Sequence, residues 1–437
     1  MDCRQPTPVV ENKPMATRRF ARAAAKSCCF VKPVSGAYPP VPEPWTVAST
    51  AGGVTIPVKS DMRRSDLSKM PSGFSQLSFQ RTEFSIPKTP LAPNLMPLHD
   101  RPRITHLDTV RGAAVMGILI INSLSFFFPF ATLFDPSLPA GQSPLDWMAA
   151  VFGEIFVDQK FMGLFSLLFG ASFLLFLERI QDRTASLLGL VAWRQLLLFC
   201  IGILHSLAWD GDILATYALC TPILLVMRRA STAALFVTGT LMYLMSPMMA
   251  LLVAPEISVT AFHALDQPHP DWRQIEMLVL YLIVDGQVRA LGMMLIGMGL
   301  YRSGWLRRPH QGKDLKKAFL LIPTGAAFSG LGLYWMLQQG DQGTARLLGN
   351  IPNTLGTPLV TLGFLILLMA WDRSDNSHWV RRLRALGRMA LSNYLAQTLL
   401  CLTLAALIPE SAFSRSGLWL LMILIWGMQL LASSAWL

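Results

Sequence analysis

The sequence predicts an all-α fold, a polytopic bundle of about ten transmembrane helices behind a disordered N-terminal tail. Three observations carry this expectation. Hydrophobic residues make up 52% of the 437 and charged residues only 14%, whereas a soluble domain carries about 25% charged residues. Mean hydropathy is +0.43. Apolar runs of roughly 20 residues recur after residue 104, each long enough to cross a hydrocarbon core of about 30 Å.

Residues 1–103 form a basic, Pro-rich segment with no sustained apolar period, and runs such as Tyr38-Pro39-Pro40-Val41-Pro42 resist regular structure. They hold 15 Lys/Arg against 7 Asp/Glu, so most of the net charge of +11 lies there. Residues 15–26 read as a solvated basic patch and only mildly as an Arg-rich targeting stretch. Met96 is an alternative start just ahead of the first apolar block. The multi-pass domain follows over 104–437.

The expected spans are 107–130, 146–177, 193–209, 212–228, 231–254, 275–300, 317–338, 354–371, 386–408 and 416–434. The second carries Glu154, Asp158 and Lys160, which suggests a break near Asp158. Loops alternate in charge. Arg228 and Arg229, then Arg302 to Lys317, then Arg373 to Arg388 form the basic set; Asp135, Asp146, Asp210, Asp212, Glu256, Asp341 and Glu410 belong to the acidic set. The positive-inside rule then puts the basic loops and both termini in the cytoplasm.

Several classes are disfavoured. The basic charge lacks the aromatic-interleaved domain that nucleic-acid binding requires, and anionic headgroups are the nearer partner. Cys200, Cys220 and Cys401 fall in apolar segments and read as small buried hydrophobes, with no metal site expected. There is no Walker, GxSxG, HExxH or dinucleotide motif. Gly163, Gly170, Gly202, Gly292, Gly297 and Gly299 suit close helix crossing.

Charge in a membrane segment costs about 2.5–3.5 kcal/mol on insertion scales, so it marks cavities and partners. Asp108 and Arg111 are spaced for an ion pair on the first helix. Asn122, three turns beyond Arg111, shares their face about 16 Å further along. The bland alternative is interhelical hydrogen bonding plus a topology-setting Arg. His205 lies one turn before the hairpin Trp209-Asp210-Gly211-Asp212, where an imidazole beside carboxylates has the make-up of a general base; a hydrogen-bonded turn is the equal alternative. Asp285 and Arg289, and Asn393 and Gln397, repeat an i, i+4 spacing that more often joins helices than does chemistry.

Four ordered stretches carry a resemblance: LDTVRGAAVMGILIIN (107–122), KFMGLFSLLFGASFLLFLER (160–179), HSLAWDGDILATYAL (205–219) and ALGRMALSNYLAQTLLC (385–401). They resemble the DUF418, YeiB-like family of bacterial membrane proteins, within a wider superfamily of membrane acyltransferases. The first helix also looks like that of the heparan-glucosaminide acetyltransferases and acyltransferase-3 proteins. Acyltransferase-3 proteins usually carry His eleven residues after the Arg; this chain has Asn122, as the heparan enzymes do. The resemblance also implies a Gly-Pro-Leu-Glu-Trp-like segment after the last helix, beyond Leu437, so a C-terminally shortened chain is expected. The tail before Met96 is not part of the family pattern.

What the resemblance implies is acyl transfer across a membrane. An acyl-CoA-like donor is the co-substrate, with no tightly bound cofactor, and the acceptor is a glycan or small-molecule hydroxyl or amine. His205 is the candidate base, oriented by Asp210 or Asp212. Asp108, Arg111, Asn122, Lys160 and Asn393 form the candidate donor- and substrate-binding set. The partners are the bilayer and these substrates, with a homo-oligomer compatible. The alternatives are a small-molecule transporter, which also needs intramembrane charge, and an inactive membrane fragment.

Overall fold

The computed structural model describes residues 48–51, 54–57, 104–137, 143–180, 186–265, 267, 272–308, 310, 312–339, 343–374, 377–409 and 412–437. Within the tail, β1 (Ala48–Ala51) pairs antiparallel with β2 (Val54–Pro57). The expectation of disorder over the rest of 1–103 lies outside the described residues.

Beyond residue 103 the described chain is helical. Its longer elements are α1 (Thr105–Phe127), α2 (Pro144–Phe152), α3 (Lys160–Ile180), α4 (Leu187–Ser206), α5 (Leu214–Met227) and α6 (Thr232–Val253). The short α7 (Val259–Ala264) precedes α8 (Trp272–Arg302), α9 (Lys313–Gln339) and α10 (Gly343–Ser374). An interfacial α11 (His378–Arg388) leads to α12 (Ala390–Leu407) and α13 (Arg415–Trp436). Serine sets several starts. Ser143, Ser186, Ser231, Ser377 and Ser414 each accept a backbone N–H of the first turn, which satisfies a donor the helix itself leaves open.

Nine spans among the described residues are long and apolar enough to cross a membrane, and α5 adds a shorter apolar helix of 14 residues. Exposed Leu, Ile, Met and Trp, such as Trp193, Leu204, Leu252, Ile283 and Leu331, cover their outer faces. Water does not tolerate apolar surface on that scale, whereas lipid does. The protein is a multi-pass membrane protein.

Two boundaries depart from the sequence reading, and one internal break agrees with it. The eighth span starts at Gly343, not 354, because Arg346, Asn350 and Asn353 point into protein rather than lipid. The ninth divides at Met389 into α11 and α12. The second breaks where expected. After α2 come a π-turn over Gly153–Val157, an extended Asp158 and Gln159 at φ 65°, before α3 begins at Lys160.

Glycine fixes the central crossing. A Cβ on Gly170 would collide with the Met294 backbone, and one on Gly297 with the Leu167 backbone. Thus α3 and α8 touch backbone to backbone, as small residues permit in lipid. Their contact is sealed by Leu164, Leu168, Met294 and Met298, all essentially inaccessible. Of the cysteines, Cys220 and Cys401 are buried as expected, but Cys200 is exposed, on the outer face of α4.

Polar contacts identify the two ends of the bundle. At one end His106 bonds the Leu306 carbonyl at 2.7 Å, Arg302 reaches the carbonyls of Arg228 and Ala230, and Arg384 pairs with Asp372 at 2.8 Å. This is the basic end. At the other, Arg346 pairs with Asp135 at 3.0 Å, and the Ser416 amide donates to Asp146 at 2.8 Å. This is the acidic end.

Candidate functional site

The α4–α5 hairpin lies at the acidic end. His205 Nδ1 is 2.8 Å from Asp212 Oδ1, and Asp212 Oδ2 accepts the Ala215 amide at 3.0 Å. One carboxylate therefore fixes the imidazole and caps the first turn of α5. Because an ionised carboxylate only accepts, Nδ1 carries the hydrogen, so in the neutral ring Nε2 presents a lone pair. The imidazole is buried, and Nε2 has no hydrogen-bond partner among the described residues. Asp210 is exposed on the turn, and its carboxylate is not joined to His205.

Aromatic rings hold the imidazole. Tyr394 of α12 lies 5.2 Å and Trp209 5.8 Å from it, centroid to centroid. Trp209 Nε1 donates to Ser125 Oγ of α1 at 3.0 Å, and its ring meets Phe126 at 4.6 Å. Ile118 and Phe126 pack against the Trp209–Leu214–Tyr394 cluster. Asn122 sits one turn from each, so helical register puts it on the α1 face that meets the His205 hairpin.

Arg111 is elsewhere. Its guanidinium donates to Asp108 and to Ser172 of α3, both at 2.8 Å, toward the basic end. Along α1, Arg111 and the His205 hairpin therefore stand near opposite ends. Neither of the two cavities described next is lined by Asp108, Arg111, Asn122 or His205. Asn393 is buried and bonds the Leu386 and Met389 carbonyls and Ser433 Oγ, while its own carbonyl accepts from Gln429. It ties α12 to α13.

A second polar centre surrounds the break before α3. Lys160 is wholly buried and donates to the Glu154 carbonyl at 2.7 Å and to Asn353 Oδ1. Asn353 Nδ2 donates to Asp158 at 2.8 Å, and Ser329 donates to Asn353 Oδ1 at 2.7 Å. Gln159 Nε2 donates to Asn350 at 2.8 Å, and Thr354 donates to Gln159 Oε1 at 3.2 Å. These bonds hold Gln159 in a left-handed conformation that residues with a side chain seldom adopt.

The break opens onto a cavity of about 160 Å³. Glu154 and Asp158 form part of one wall; Arg289 and Arg346 reach it from α8 and α10. Arg289 pairs with Asp285, which also accepts Ser246. A neighbouring cavity of about 30 Å³ shares Glu154 and Asp158 and extends to Arg415. Sequence reading noted Glu154, Asp158 and the Asp285–Arg289 pair. It missed Arg346, Asn350 and Asn353, although their spacing with Thr357 is that of one helix face.

A helical bundle with buried ion pairs and a polar cavity inside its apolar spans defines a polytopic membrane protein with an internal site. The family model described as "Protein of unknown function (DUF418)" matches residues 300–437. The chain is similar to the uncharacterized protein YeiB of Escherichia coli (strain K12), 31% identical over 358 residues, covering 76% of this chain and 91% of YeiB. It is also similar to the uncharacterized protein YxaH of Bacillus subtilis (strain 168), 25% identical over 342 residues, covering 70% and 83% of the two chains. An uncharacterized 39.9 kDa protein in the amylase 3' region of Bacillus acidopullulyticus is 27% identical over 343 residues, covering 77% and 89%. The chain belongs to the DUF418 family, with YeiB among its relatives. No solved structure matches it.

Proposed function

We propose that this chain is an acyltransferase of the bacterial inner membrane, with the basic end and both termini in the cytoplasm. It moves an acyl group from an acyl-CoA-like donor to an extracytoplasmic hydroxyl or amine. The observation that carries this reading is the His205–Asp212 pair. The pair leaves a buried, unpartnered Nε2 on an imidazole already held in the tautomer a general base needs.

The donor phosphates meet Arg111 and the loop cations at the basic end, and the thioester reaches the hairpin along the α1 stripe. Nε2 takes the proton of the acceptor O–H or N–H as that atom attacks the thioester carbonyl. The carbonyl oxygen becomes the oxyanion, which Asn122 stabilises by hydrogen bonding. Collapse breaks the C–S bond, and the imidazolium returns its proton to the leaving thiolate. Asp212 stabilises the imidazolium in between.

His205→Ala is expected to reduce transfer in reconstituted vesicles by roughly 10²–10⁴-fold, the usual contribution of a general base, with membrane insertion intact. Undiminished product defeats the assignment. A second reading, a small-molecule transporter, draws on the charged cavity at a broken helix. Purified protein consumes acetyl-CoA under the first reading and moves solute chemically unchanged under the second.

A further inference from the structure

We propose that the cavity beside the break before α3 binds a small zwitterion, its ammonium on Glu154 and Asp158 and its oxyanion on Arg289 and Arg346. This site is separate from the His205 hairpin and does not depend on the acyl-transfer reading.

The charges argue for a ligand of both signs. Neither Glu154 nor Asp158 has a Lys or Arg within ion-pair distance among the described residues. Lys160 is nearby but donates to a carbonyl and an amide oxygen instead. Asp158 accepts one close bond, from Asn353 at 2.8 Å, and Glu154 only a long one at 3.4 Å. Arg289, which also lines the cavity, pairs with Asp285 through Nη2, and its Nε is buried without a partner among the described residues. An anion alone would face two carboxylates. A cation alone would face two guanidinium groups. A molecule with an ammonium and an oxyanion answers both walls and adds no net charge, which matters where water is scarce.

Size and backbone agree. The cavity's 160 Å³ is close to the roughly 150 Å³ that accommodates benzene in an engineered protein cavity. Leu133, Phe134, Leu333 and Met336 belong to its apolar lining and suit a short methylene chain, beside the polar Gln159 and Asn350. The π-turn at Gly153–Val157 and the left-handed Gln159 are costly features. Irregular backbone at membrane depth persists where it lines a cavity, and π-turns inside helices concentrate at functional sites.

An ammonium and an oxyanion on a short chain occur in free amino-acid-like solutes and in ethanolamine phospholipid headgroups. Full-length protein in detergent is titrated with glycine, β-alanine, γ-aminobutyrate and phosphoethanolamine, and with propylamine and propionate as singly charged controls. At least one zwitterion is expected to bind tenfold or more tighter than either control. Glu154→Gln and Asp158→Asn each weaken that binding tenfold or more, and His205→Ala leaves it unchanged. Should a variant fail to fold, the wild-type selectivity series decides alone. Nanodiscs of phosphatidylglycerol with and without phosphatidylethanolamine separate the sources. Competition by the ethanolamine lipid assigns a headgroup, and its absence assigns a free solute. Equal binding of propylamine or propionate overturns the proposal, as does no zwitterion binding at millimolar concentration in detergent and in ethanolamine-free discs.

Discussion

Asp212 holds His205 through one carboxylate oxygen and the Ala215 amide through the other, at 2.8 and 3.0 Å. Asp210, two residues earlier, is exposed. Asp212→Asn leaves the shape but favours the wrong imidazole tautomer, so acyl transfer should fall by about 10²-fold or more. Asp210→Asn should change it less than about threefold, because an exposed turn carboxylate contributes little. Parallel rates in vesicles check this, and equal losses in the two variants would remove Asp212 from its role.

Lys160→Met deletes the cation that joins the Glu154 carbonyl to Asn353. Leaving a buried acceptor without its donor costs about 1–3 kcal/mol. The thermal midpoint of the purified protein should drop clearly, by more than for Lys317→Met, whose exposed ammonium only meets Asp314 at 3.0 Å.

Gly170→Ala places a methyl against the Met294 backbone, where no side chain can move aside. Overpacking of this kind costs about 1–3 kcal/mol. Gly286→Ala is the control, since open space surrounds its added Cβ. Detergent melting curves should separate the two.

Asp372 accepts Thr109 of α1 and two nitrogens of Arg384 on α11. Asp372→Ala should loosen α11, seen as trypsin cleavage after Arg381 or Arg382 several times faster than in wild type. Unchanged cleavage would mean that the apolar face of Val380, Leu383 and Leu386 anchors α11 by itself.

Orientation is checked by single cysteines on an otherwise cysteine-free background. A membrane-impermeant maleimide added to whole cells should label Asp210→Cys and spare Ser377→Cys. The reverse pattern would invert the topology.

Most of the fold was legible because a bilayer demands length and apolarity of each crossing, and both are local properties. The break at Asp158 was legible from charge in an apolar run. The start of α10 was not. A hydropathy window rejects Arg346, Asn350 and Asn353 as loop, although helical spacing aligns them with Thr357. That His205 lies beside a hairpin carboxylate was legible from their closeness in the chain, but which of Asp210 and Asp212 meets it was not. Lys160 and Asn353 are 193 positions apart, and no local pattern announces that they meet.

The brevity of α5 has a consequence for the lipid. Its 14 residues rise about 21 Å, while an average hydrocarbon core is about 30 Å thick. Local thinning of the bilayer is one way to accommodate so short a helix, and thinning at its N-terminal end would fall at the Trp209–Asp212 turn. Such thinning would bring water closer to the His205 imidazole. Host-lipid acyl length becomes a control variable: thicker membranes should keep that water away from His205 and slow its proton exchange.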